Sequence, residues 1–354
     1  MPISGVLSGV SGPGENTYGL DMSLDYEKTA GVGRQSESAY SLGDVVQVMG
    51  QVRHAMESVI EGKRSSIDLA LVVLLAEGHL LVEDVPGVGK TMLAKALGRS
   101  IACSVRRVQF TPDLLPSDIT GVSVFNQETR DFEFKPGGIF ANIVVGDEIN
   151  RASPKTQSAL LESMEERQVS VDGTTYLLEP PFMVVATQNP IEMEGTYPLP
   201  EAQRDRFMAR IQMGYPTPNS ELDMLESHGS SDPLAALQPV TDGAAIRGLI
   251  EAVKRVYVSP AVKHYIVQVV NATRNSRDLR LGASPRATLQ LLRASRAFAA
   301  LSGRDYVSPD DVAALGVSVL AHRVLPSTDA QLARRTVTDV IAQAIQSVHI
   351  PDRR

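Results

Sequence analysis

Apolar residues recur along most of the chain at the spacings typical of helices and strands. Apolar positions three and four residues apart between residues 42 and 60 predict an amphipathic helix, and a second helix is predicted at Ile67–Ala76. Four short apolar runs are typical of buried strands instead. Because helical patterns separate these runs, we predict an α/β fold: a mostly parallel sheet with helices on both faces. The predicted strands are Leu80–Val82, Val105–Phe110, Ile143–Val145 and Phe182–Ala186.

Two hairpin inserts are predicted beside that sheet. In the first, Val122–Phe125 and Phe132–Phe134 flank a polar turn. In the second, Val169–Val171 and Tyr176–Leu178 flank Asp172-Gly173, a dipeptide that favours tight hairpin turns.

The pattern changes after Gly214. Prolines cluster over residues 216–239, and from about residue 243 onward the pattern is helical. Three Ser-Pro pairs predict helix starts, because Ser caps a helix well and Pro fits the first helical position, where its missing N–H needs no partner. The residues around the pairs do not match as a repeat, so we predict three ordinary capped helices. The pairs are Ser259-Pro260, Ser284-Pro285 and Ser308-Pro309.

The chain therefore divides into three predicted segments. Residues 1–41, rich in Gly and Ser and without a sustained period, are predicted to be a disordered tail. Residues 42–214 form the predicted sheet domain, and residues 215–354 form a small all-helical domain. A length of 354 residues suits about two such domains.

Composition narrows the function classes. The net charge is −7 and the isoelectric point is near 5.5, which argues against a protein that coats nucleic acid with clustered Lys and Arg. The lone Cys103 allows no intramolecular disulfide, and we expect it to act as a small buried apolar residue. The longest apolar run, Leu69–Ala76, is far shorter than the roughly 18 residues of a membrane helix. We expect no membrane span, no nucleic-acid partner and a cytoplasmic location.

The strongest chemical signal is a Gly-rich segment between the Leu80–Val82 strand and the helical pattern at Met92–Leu97. Glycine N–H groups and a helix N-terminus bind phosphate, Lys90 adds a full positive charge, and Thr91 offers a hydroxyl to Mg²⁺. Asp84 stands where the strict motif has its first glycine. The alternative is an incidental turn, but the strand before and the helix after favour an ATP site. The predicted nucleotide-binding residues are Asp84, Pro86, Gly87, Val88, Gly89, Lys90, Thr91 and Met92.

Two carboxylates follow the Ile143–Val145 run. Asp147 can hold Mg²⁺ through its water shell, and Glu148 can orient and deprotonate an attacking water. An apolar run followed by Asp-Glu is more often a strand end that meets solvent. Combined with the phosphate loop, the pair favours metal-assisted phosphoryl transfer, with Thr91 and Asp147 as the predicted metal ligands.

Three further candidates are ambiguous from the residues alone. Asn189 follows another predicted strand and lies beside the carboxylates if the two strands are neighbours, yet it equally suits a turn before a proline. Arg206 ends a charged helical turn, and Arg286 begins a helix of the second domain. Both arginines suit a solvated surface, although phosphoryl transfer also benefits from an arginine at the γ-phosphate.

Taken together, these motifs resemble the AAA+ superfamily and, within it, the MoxR family. The most specific stretch, residues 146–169, resembles the family's Walker B region and the helix after it, and residues 109–118 and 186–190 also match. The resemblance runs from about Val59 to Arg323. It implies an ATPase core at residues 42–214 and a helical lid domain at residues 215–354.

The resemblance also assigns roles to the ambiguous candidates. It implies that Asn189 takes the sensor-1 position and that Arg206 takes the arginine-finger position, which reaches the nucleotide of a neighbouring subunit. Arg286 takes the sensor-2 position. Arg204 occupies a place that is expected to be apolar and is therefore a rival for the finger. The segment at residues 61–63 only partly resembles the adenine-contacting segment, so the base pocket stays undefined.

The family implies a hexameric ring of identical subunits that acts as a chaperone-like ATPase with ATP and Mg²⁺. Such proteins typically work with a von Willebrand factor A domain protein to assemble complexes or insert metals. Two alternatives are a nucleotide-gated scaffold with little hydrolysis and a nucleic-acid motor of the same clade. The presence of Glu148, Asn189 and Arg206 favours the enzyme over the scaffold, and the acidic composition without a Lys/Arg tract argues against the motor.

Overall fold

The computed structural model describes residues 40–85, 87–189, 195–215 and 233–351. Almost all of the predicted tail at residues 1–41, together with Pro86 of the phosphate loop, lies outside the described residues. The described residues belong to one compact unit. The predicted boundary between residues 214 and 215 adjoins a stretch outside the described residues and stays a prediction.

The central sheet has five parallel strands: β1 (Leu80–Glu83), β2 (Val105–Gln109), β5 (Ile143–Asp147), β8 (Met183–Gln188) and β9 (Ala209–Ile211). Their order across the sheet is β2-β5-β8-β1-β9. The four strands predicted from apolar runs are confirmed. The fifth, β9, was not predicted, because three residues after a charged turn form no recognisable apolar run.

Helices cover both faces of the sheet, as predicted. Successive side chains of a strand point to opposite faces. Leu80 and Val82 accordingly pack in one core with three helices, and Leu81 packs in a second core against two others. The first face is covered by α1 (Leu42–Glu57), α2 (Arg64–Leu75) and α3 (Lys90–Ser100), and the second by α4 (Pro116–Thr120) and α5 (Pro154–Glu166).

Both predicted hairpins are present. They consist of β3 (Val122–Asn126) with β4 (Asp131–Lys135), and β6 (Gln168–Val171) with β7 (Thr174–Leu177). In the second hairpin, Asp172 and Gly173 have φ values of 50° and 82°, the backbone that a two-residue turn with two positive φ angles requires. The rings of Phe134 and Tyr176 stack with their centroids 3.9 Å apart, which joins the two hairpins.

The lid is helical, as predicted, with one small addition. Ser259, Ser284 and Ser308 each accept a hydrogen bond from the backbone N–H three residues later, so the three capped helices are confirmed. Two short antiparallel strands, β10 (Leu279–Leu281) and β11 (Leu325–Pro326), were not predicted, because segments of two or three residues show no period. After α6 (Glu201–Arg204) in the core, the helices within the described ranges are α7 (Pro233–Ala236), α8 (Gly243–Lys254), α9 (Pro260–Arg274), α10 (Pro285–Leu301), α11 (Pro309–Leu320), α12 (Thr328–Leu332) and α13 (Val337–Gln346).

A buried ion pair joins the lid to the sheet domain. The Arg323 side chain is only 1% exposed, and its Nε atom lies 3.0 Å from Asp205 Oδ1. The same guanidinium donates to the carbonyls of Phe207 and Met208, just before β9. Burial lowers the pKa of Arg323 to about 10 against the opposing effect of Asp205, so the group stays charged at neutral pH. One lid side chain thus fixes the loop that leads into β9.

Two expectations from the sequence, that Cys103 is not a reactive thiol and that no helix spans a membrane, can be compared with the fold. Cys103 is half-buried, and burial raises the pKa of its thiol to about 11, which disfavours the reactive thiolate. Across the described ranges, no helix combines the length and the apolar character needed to cross a bilayer.

The buried position of Arg323 predicts its contribution to stability. Arg323→Ala leaves Asp205 without its main partner, and we expect the free energy of unfolding to fall by about 3–5 kcal/mol in a urea titration followed by circular dichroism. Arg335 pairs with Asp278 at a more exposed site, where the two side chains are 36% and 29% exposed. Arg335→Ala is the matched control, with an expected loss of about 1 kcal/mol or less. Equal losses in both variants would contradict the larger contribution of the buried Arg323 pair to stability.

Candidate active site

The phosphate loop connects β1 to α3 at the carboxyl edge of the sheet. Gly87 and Gly89 have φ values of +85° and +89°, a left-handed conformation that a residue with a Cβ adopts only with strain. Gly89 is the N-cap of α3. The unpaired N–H groups and the dipole of a helix N-terminus favour a phosphate at this position.

Asp84, which replaces the first glycine of the strict motif, organises the loop. Its Oδ1 atom accepts a hydrogen bond of 2.8 Å from the Val85 N–H, and its Oδ2 atom accepts one of 2.5 Å from the Gly214 N–H. The carboxylate therefore ties the loop to the segment after β9. The departure from the motif has a structural use, because a glycine here would lack this tether.

Lys90 points along the carboxyl edge of the sheet. Its Nζ atom donates to the Asp84 carbonyl at 2.6 Å and lies 3.5 Å from the Gln188 carbonyl. Burial lowers the pKa of Lys90, and the nearby carboxylates of Asp147, Asp84 and Glu148 oppose that shift without cancelling it. Among the described residues the ammonium is held by neutral carbonyls and by no salt bridge, so its charge is available to an anion.

Asp147 ends β5 beside the loop. Its Oδ2 atom is 3.4 Å from Thr91 Oγ1 and accepts a hydrogen bond of 2.6 Å from Arg107 Nη2, while its Oδ1 atom accepts one of 2.5 Å from Thr187 Oγ1. Burial raises the pKa of Asp147, but the hydrogen bonds from Thr187 and Arg107 outweigh burial, and the net shift is downward. Asp147 is therefore an anion at neutral pH.

The oxygen atoms present fit Mg²⁺ bound together with a nucleotide. The Thr91 hydroxyl and the Asp147 carboxylate converge at the loop. Mg²⁺ prefers oxygen ligands, and in phosphate sites it typically takes one or two from the protein and the rest from phosphates and water. Within the described parts of the chain there is no group of three or more His, Cys, Asp or Glu side chains arranged to hold a metal. The donor set thus suits a metal that arrives with phosphates.

Glu148 follows Asp147 in a left-handed backbone conformation, with a φ of 57°. This conformation is uncommon for residues other than glycine, and such residues cluster at functional sites. The Glu148 N–H donates to Thr187 Oγ1 at 3.0 Å, and its Oε2 atom accepts from Gln109 Nε2 at 2.8 Å and lies 3.2 Å from Arg151 Nε. The carboxylate is thus held at the edge of the site.

The remaining sequence candidate at this edge is Asn189. It follows β8, which is the direct neighbour of β5, with Gly146 paired to Ala186. Asn189 is buried, with 9% of its surface exposed. The structure therefore brings it to the same edge as the Asp147 and Glu148 carboxylates.

Four partner residues of the carboxylates were not singled out from the sequence. Their contacts cross between strands or around a turn, so they become visible only once the register of the sheet is known. The one local signal is the repeated occurrence of polar residues at strand ends. The four are Arg107, Gln109, Arg151 and Thr187.

Arg206 and Arg286 lie together, away from the phosphate loop. Arg206 Nε is 3.0 Å from Glu165 Oε2, and Arg286 Nη2 donates to Glu165 Oε1. The two arginines line a cavity of about 200 Å³ whose wall also includes His79. Two arginines that the sequence placed in different domains thus share one carboxylate.

The position of the pair follows from the direction of the strands. His79 directly precedes β1 and Arg206 comes just before β9, and Leu80 of β1 pairs in parallel with Ala209 of β9. The arginines therefore lie at the amino ends of the strands, whereas the phosphate loop follows the carboxyl end of β1. Because β1 has four residues, the two edges of the sheet are about 10 Å apart along this strand. Arg286 thus lies with Arg206 at the amino edge, where it contacts Glu165, and its sensor-2 role stays a prediction.

Arg204, the rival of Arg206, has different surroundings. Its Nη2 atom is 3.9 Å from Glu201, and its Nε atom is buried without a hydrogen-bond partner within the described residues. It does not line the arginine cavity. The structure therefore groups Arg206, and not Arg204, with Arg286.

The segment at residues 61–63, which partly resembles an adenine-contacting segment, holds the chain after β9 in place. Lys63 Nζ donates to three successive carbonyls, at 2.7 Å to Met213, 3.0 Å to Gly214 and 2.8 Å to Tyr215. This is the segment that Asp84 also holds. Lys63 therefore fixes the chain beside the loop.

Comparisons with known proteins identify the family of the chain. Residues 79–209 match the model of the ATPase family associated with various cellular activities (AAA), and residues 271–344 match the AAA lid domain. The chain is 48% identical to the uncharacterized protein YeaC of Bacillus subtilis (88% of this chain, 97% of YeaC) and 41% identical to Chaperone MoxR1 of Mycobacterium tuberculosis (88% and 85%). A crystal structure of a candidate ATPase from Cytophaga hutchinsonii superposes with a TM-score of 0.82 at 35% identity, over 88% of this chain and 97% of that one. The chain belongs to the MoxR family of AAA+ ATPases.

Proposed function

We propose that this protein binds ATP with Mg²⁺, hydrolyses it at the interfaces of a hexameric ring, and uses the cycle to remodel or assemble partner complexes. One observation carries the proposal. The phosphate loop, Asp147 and Glu148 lie at the carboxyl edge of the sheet, whereas Arg206 and Arg286 lie at its amino edge. A complete site for phosphoryl transfer therefore requires a second copy of the chain.

The cavity beside Arg206 has the charge that such an interface needs. Four arginines and two glutamates line it, so its formal charge is positive, and positive groups stabilise the charge that develops on a transferred phosphoryl group. A head-to-tail contact, in which the amino edge of one copy meets the carboxyl edge of the next, closes into a ring when the rotation is right. The charged lining residues are Glu77, Glu165, Arg167, Arg206, Arg286 and Arg293.

In the proposed reaction each residue has a distinct task. Lys90 and the loop bind the phosphates, and Thr91 and Asp147 would hold Mg²⁺. Bound Mg²⁺ neutralises charge on the phosphate oxygens. Glu148 accepts the proton of the attacking water, which Asn189 helps to position. The arginines of the neighbouring copy stabilise the γ-phosphate in the transition state.

Exposed aromatic residues support a remodelling role. Phe125 and Phe132 face each other across the first hairpin with ring centroids 5.4 Å apart, and 50% and 67% of their surfaces are exposed. Paired, exposed aromatic rings on a hairpin can form an apolar contact surface for a client chain. Among the relatives, MoxR1 is named a chaperone. We assign this chain the same kind of task in the cytoplasm, with a von Willebrand factor A domain protein as its partner.

The first prediction from the proposed function concerns nucleotide binding. Lys90→Ala removes the full positive charge at the phosphate loop, so ATP binding measured by calorimetry should be lost. Lys95→Ala is the control, because Lys95 lies on the same helix and makes no hydrogen bond or ion pair with the described residues. An unchanged ATP affinity of the Lys90→Ala protein would remove the loop from this role.

The second prediction concerns hydrolysis. Glu148→Gln keeps the size of the side chain but cannot accept a proton, so ATP should bind and remain uncleaved, with turnover reduced on the order of 10²–10⁴-fold. Turnover is measured with and without DNA, since stimulation by DNA would favour the motor and negligible wild-type turnover would favour the scaffold. Near-normal turnover of Glu148→Gln would exclude Glu148 as the base. The Glu148→Gln protein, which should retain ATP, is also used to co-purify partner proteins from the native host. Lys90→Ala, which should bind no ATP, is the control.

The third prediction concerns the action of Arg206 on a neighbour. Arg206→Ala should bind ATP almost normally and lose hydrolysis by about 10³-fold or more. Mixing it with Glu148→Gln should restore part of the activity, because some interfaces then combine an intact site with an intact arginine. Arg204→Ala mixed with Glu148→Gln is the matched comparison for the rival finger.

Two results would contradict this third prediction. Full activity of Arg206→Ala in the assembled protein would exclude the finger role. Activity that is independent of protein concentration, down to a proven monomer, would exclude the ring.

A further inference from the structure

The Glu165 carboxylate lies between the two arginines at the amino edge of the sheet. Each of its oxygens contacts one guanidinium, Oε2 with Arg206 at 3.0 Å and Oε1 with Arg286. Two guanidinium groups this close repel each other unless an anion lies between them. Arg206 meets Glu165 through its Nε atom, and its two terminal nitrogens donate no hydrogen bond to a described residue. Those nitrogens are therefore available to a phosphate.

The end of α5 that carries Glu165 is tied to the sheet. The carbonyl of the preceding Met164, a buried residue, is 3.0 Å from His79 Nε2, and His79 Nδ1 accepts a hydrogen bond of 3.0 Å from the Val184 N–H. Because Nδ1 accepts, the proton of the neutral ring is on Nε2, which donates to Met164. The Glu165 backbone is thus fixed relative to β1 and β8.

A second carboxylate fixes the backbones of the arginines. Ser284 Oγ donates to both oxygens of Asp205, at 2.8 Å and 2.9 Å, and Asp205 Oδ2 is 3.7 Å from Arg286 Nη1. Asp205 directly precedes Arg206, so it holds the start of α10 next to the Arg206 backbone. The spacing of the two backbones is therefore set by Asp205, whereas the spacing of the guanidinium groups is set by Glu165.

We propose that Glu165 is a positioning residue for hydrolysis: it holds Arg206 and Arg286 side by side, so that both meet the γ-phosphate bound by the neighbouring copy. This inference rests on the proposed action of these arginines on a neighbour's nucleotide. The Glu165 side chain is 37% exposed, and ion pairs at such exposure contribute little to folding stability. Its loss should therefore lower the rate and leave the fold unchanged.

The first experiment separates rate from stability. Glu165→Gln keeps the shape of the side chain but removes its charge and leaves one acceptor oxygen for two arginines. We expect kcat for ATP to fall roughly 10- to 100-fold, as for a group displaced by about 1 Å, with KM and the thermal unfolding midpoint nearly unchanged. Glu166→Gln is the control, because Glu166 is exposed and makes no hydrogen bond or ion pair with the described residues. Glu165→Asp keeps the charge on a shorter stem and should lose less activity than Glu165→Gln.

The second experiment asks which subunit carries the defect. A subunit with both Glu148→Gln and Glu165→Gln supplies only arginines, and an Arg206→Ala subunit supplies only a working site. This mixture should recover 10- to 100-fold less activity than the mixture of Glu148→Gln with Arg206→Ala. Placing Glu165→Gln in the Arg206→Ala subunit instead should leave the recovered activity unchanged.

Three outcomes would overturn the proposal. The first is equal recovery with Glu148→Gln subunits that carry or lack Glu165→Gln, and the second is a defect that follows the subunit with the working site. The third is a loss of thermal stability that parallels the loss of rate. The result also separates this inference from the proposed function. If Glu148→Gln and Arg206→Ala recover no activity on mixing, the action of Arg206 on a neighbour is wrong. If they recover activity that does not depend on Glu165, only the positioning role is wrong.

Discussion

The direction of the parallel strands is the constraint on which the rest of the molecule depends. Parallel pairing gathers the carboxyl ends of β1, β5 and β8 at one edge, and with them the phosphate loop, Asp147 and Glu148. The same pairing brings the residues before β1 and β9 to the opposite edge, where the arginine pair lies. The phosphate loop and the arginine pair are thus separated by about the length of a strand. The division of these candidate site residues between two edges is a property of the sheet and not of any one residue.

The Asp205–Arg323 ion pair adds a second constraint, because it joins the lid to the part of the sheet domain where Arg206 and Arg286 lie. Arg323 approaches Asp205 from the lid, and Ser284, the N-cap of α10, donates to the same carboxylate. Arg286 is in the first turn of α10, and Arg206 follows Asp205 in the chain. A lid that moved away from the sheet would have to break a buried ion pair. The two arginines and the start of α10 therefore move as one body with the amino edge of the sheet.

Local signals in the sequence were sufficient for much of the fold. Apolar runs predicted four strands, Asp172-Gly173 predicted a hairpin turn, and Ser-Pro pairs predicted capped helices, because each depends on neighbours in the chain. What the sequence did not show depends on distant residues. β9 is a strand only because β1 offers it an edge, and Thr187 contacts Asp147 only through the register of two strands. Likewise, nothing local placed Glu165 beside Arg206 and Arg286, since three separate segments have to meet.

Helix α5 connects these distant features within a single rigid element. It follows the Glu148 turn closely, has 13 residues and is therefore about 20 Å long, and it carries Glu165 in its last turn. The β6–β7 hairpin begins two residues after that turn, and the stack of Phe134 on Tyr176 joins it to the hairpin with the exposed phenylalanines. Its sequence contains no glycine, and its only proline is at the first helical position, so it lacks the residues that commonly kink a helix. Helix α5 therefore joins the Glu148 turn at the carboxyl edge of the sheet to Glu165 and its arginine partners at the amino edge, and the β6–β7 hairpin continues from it.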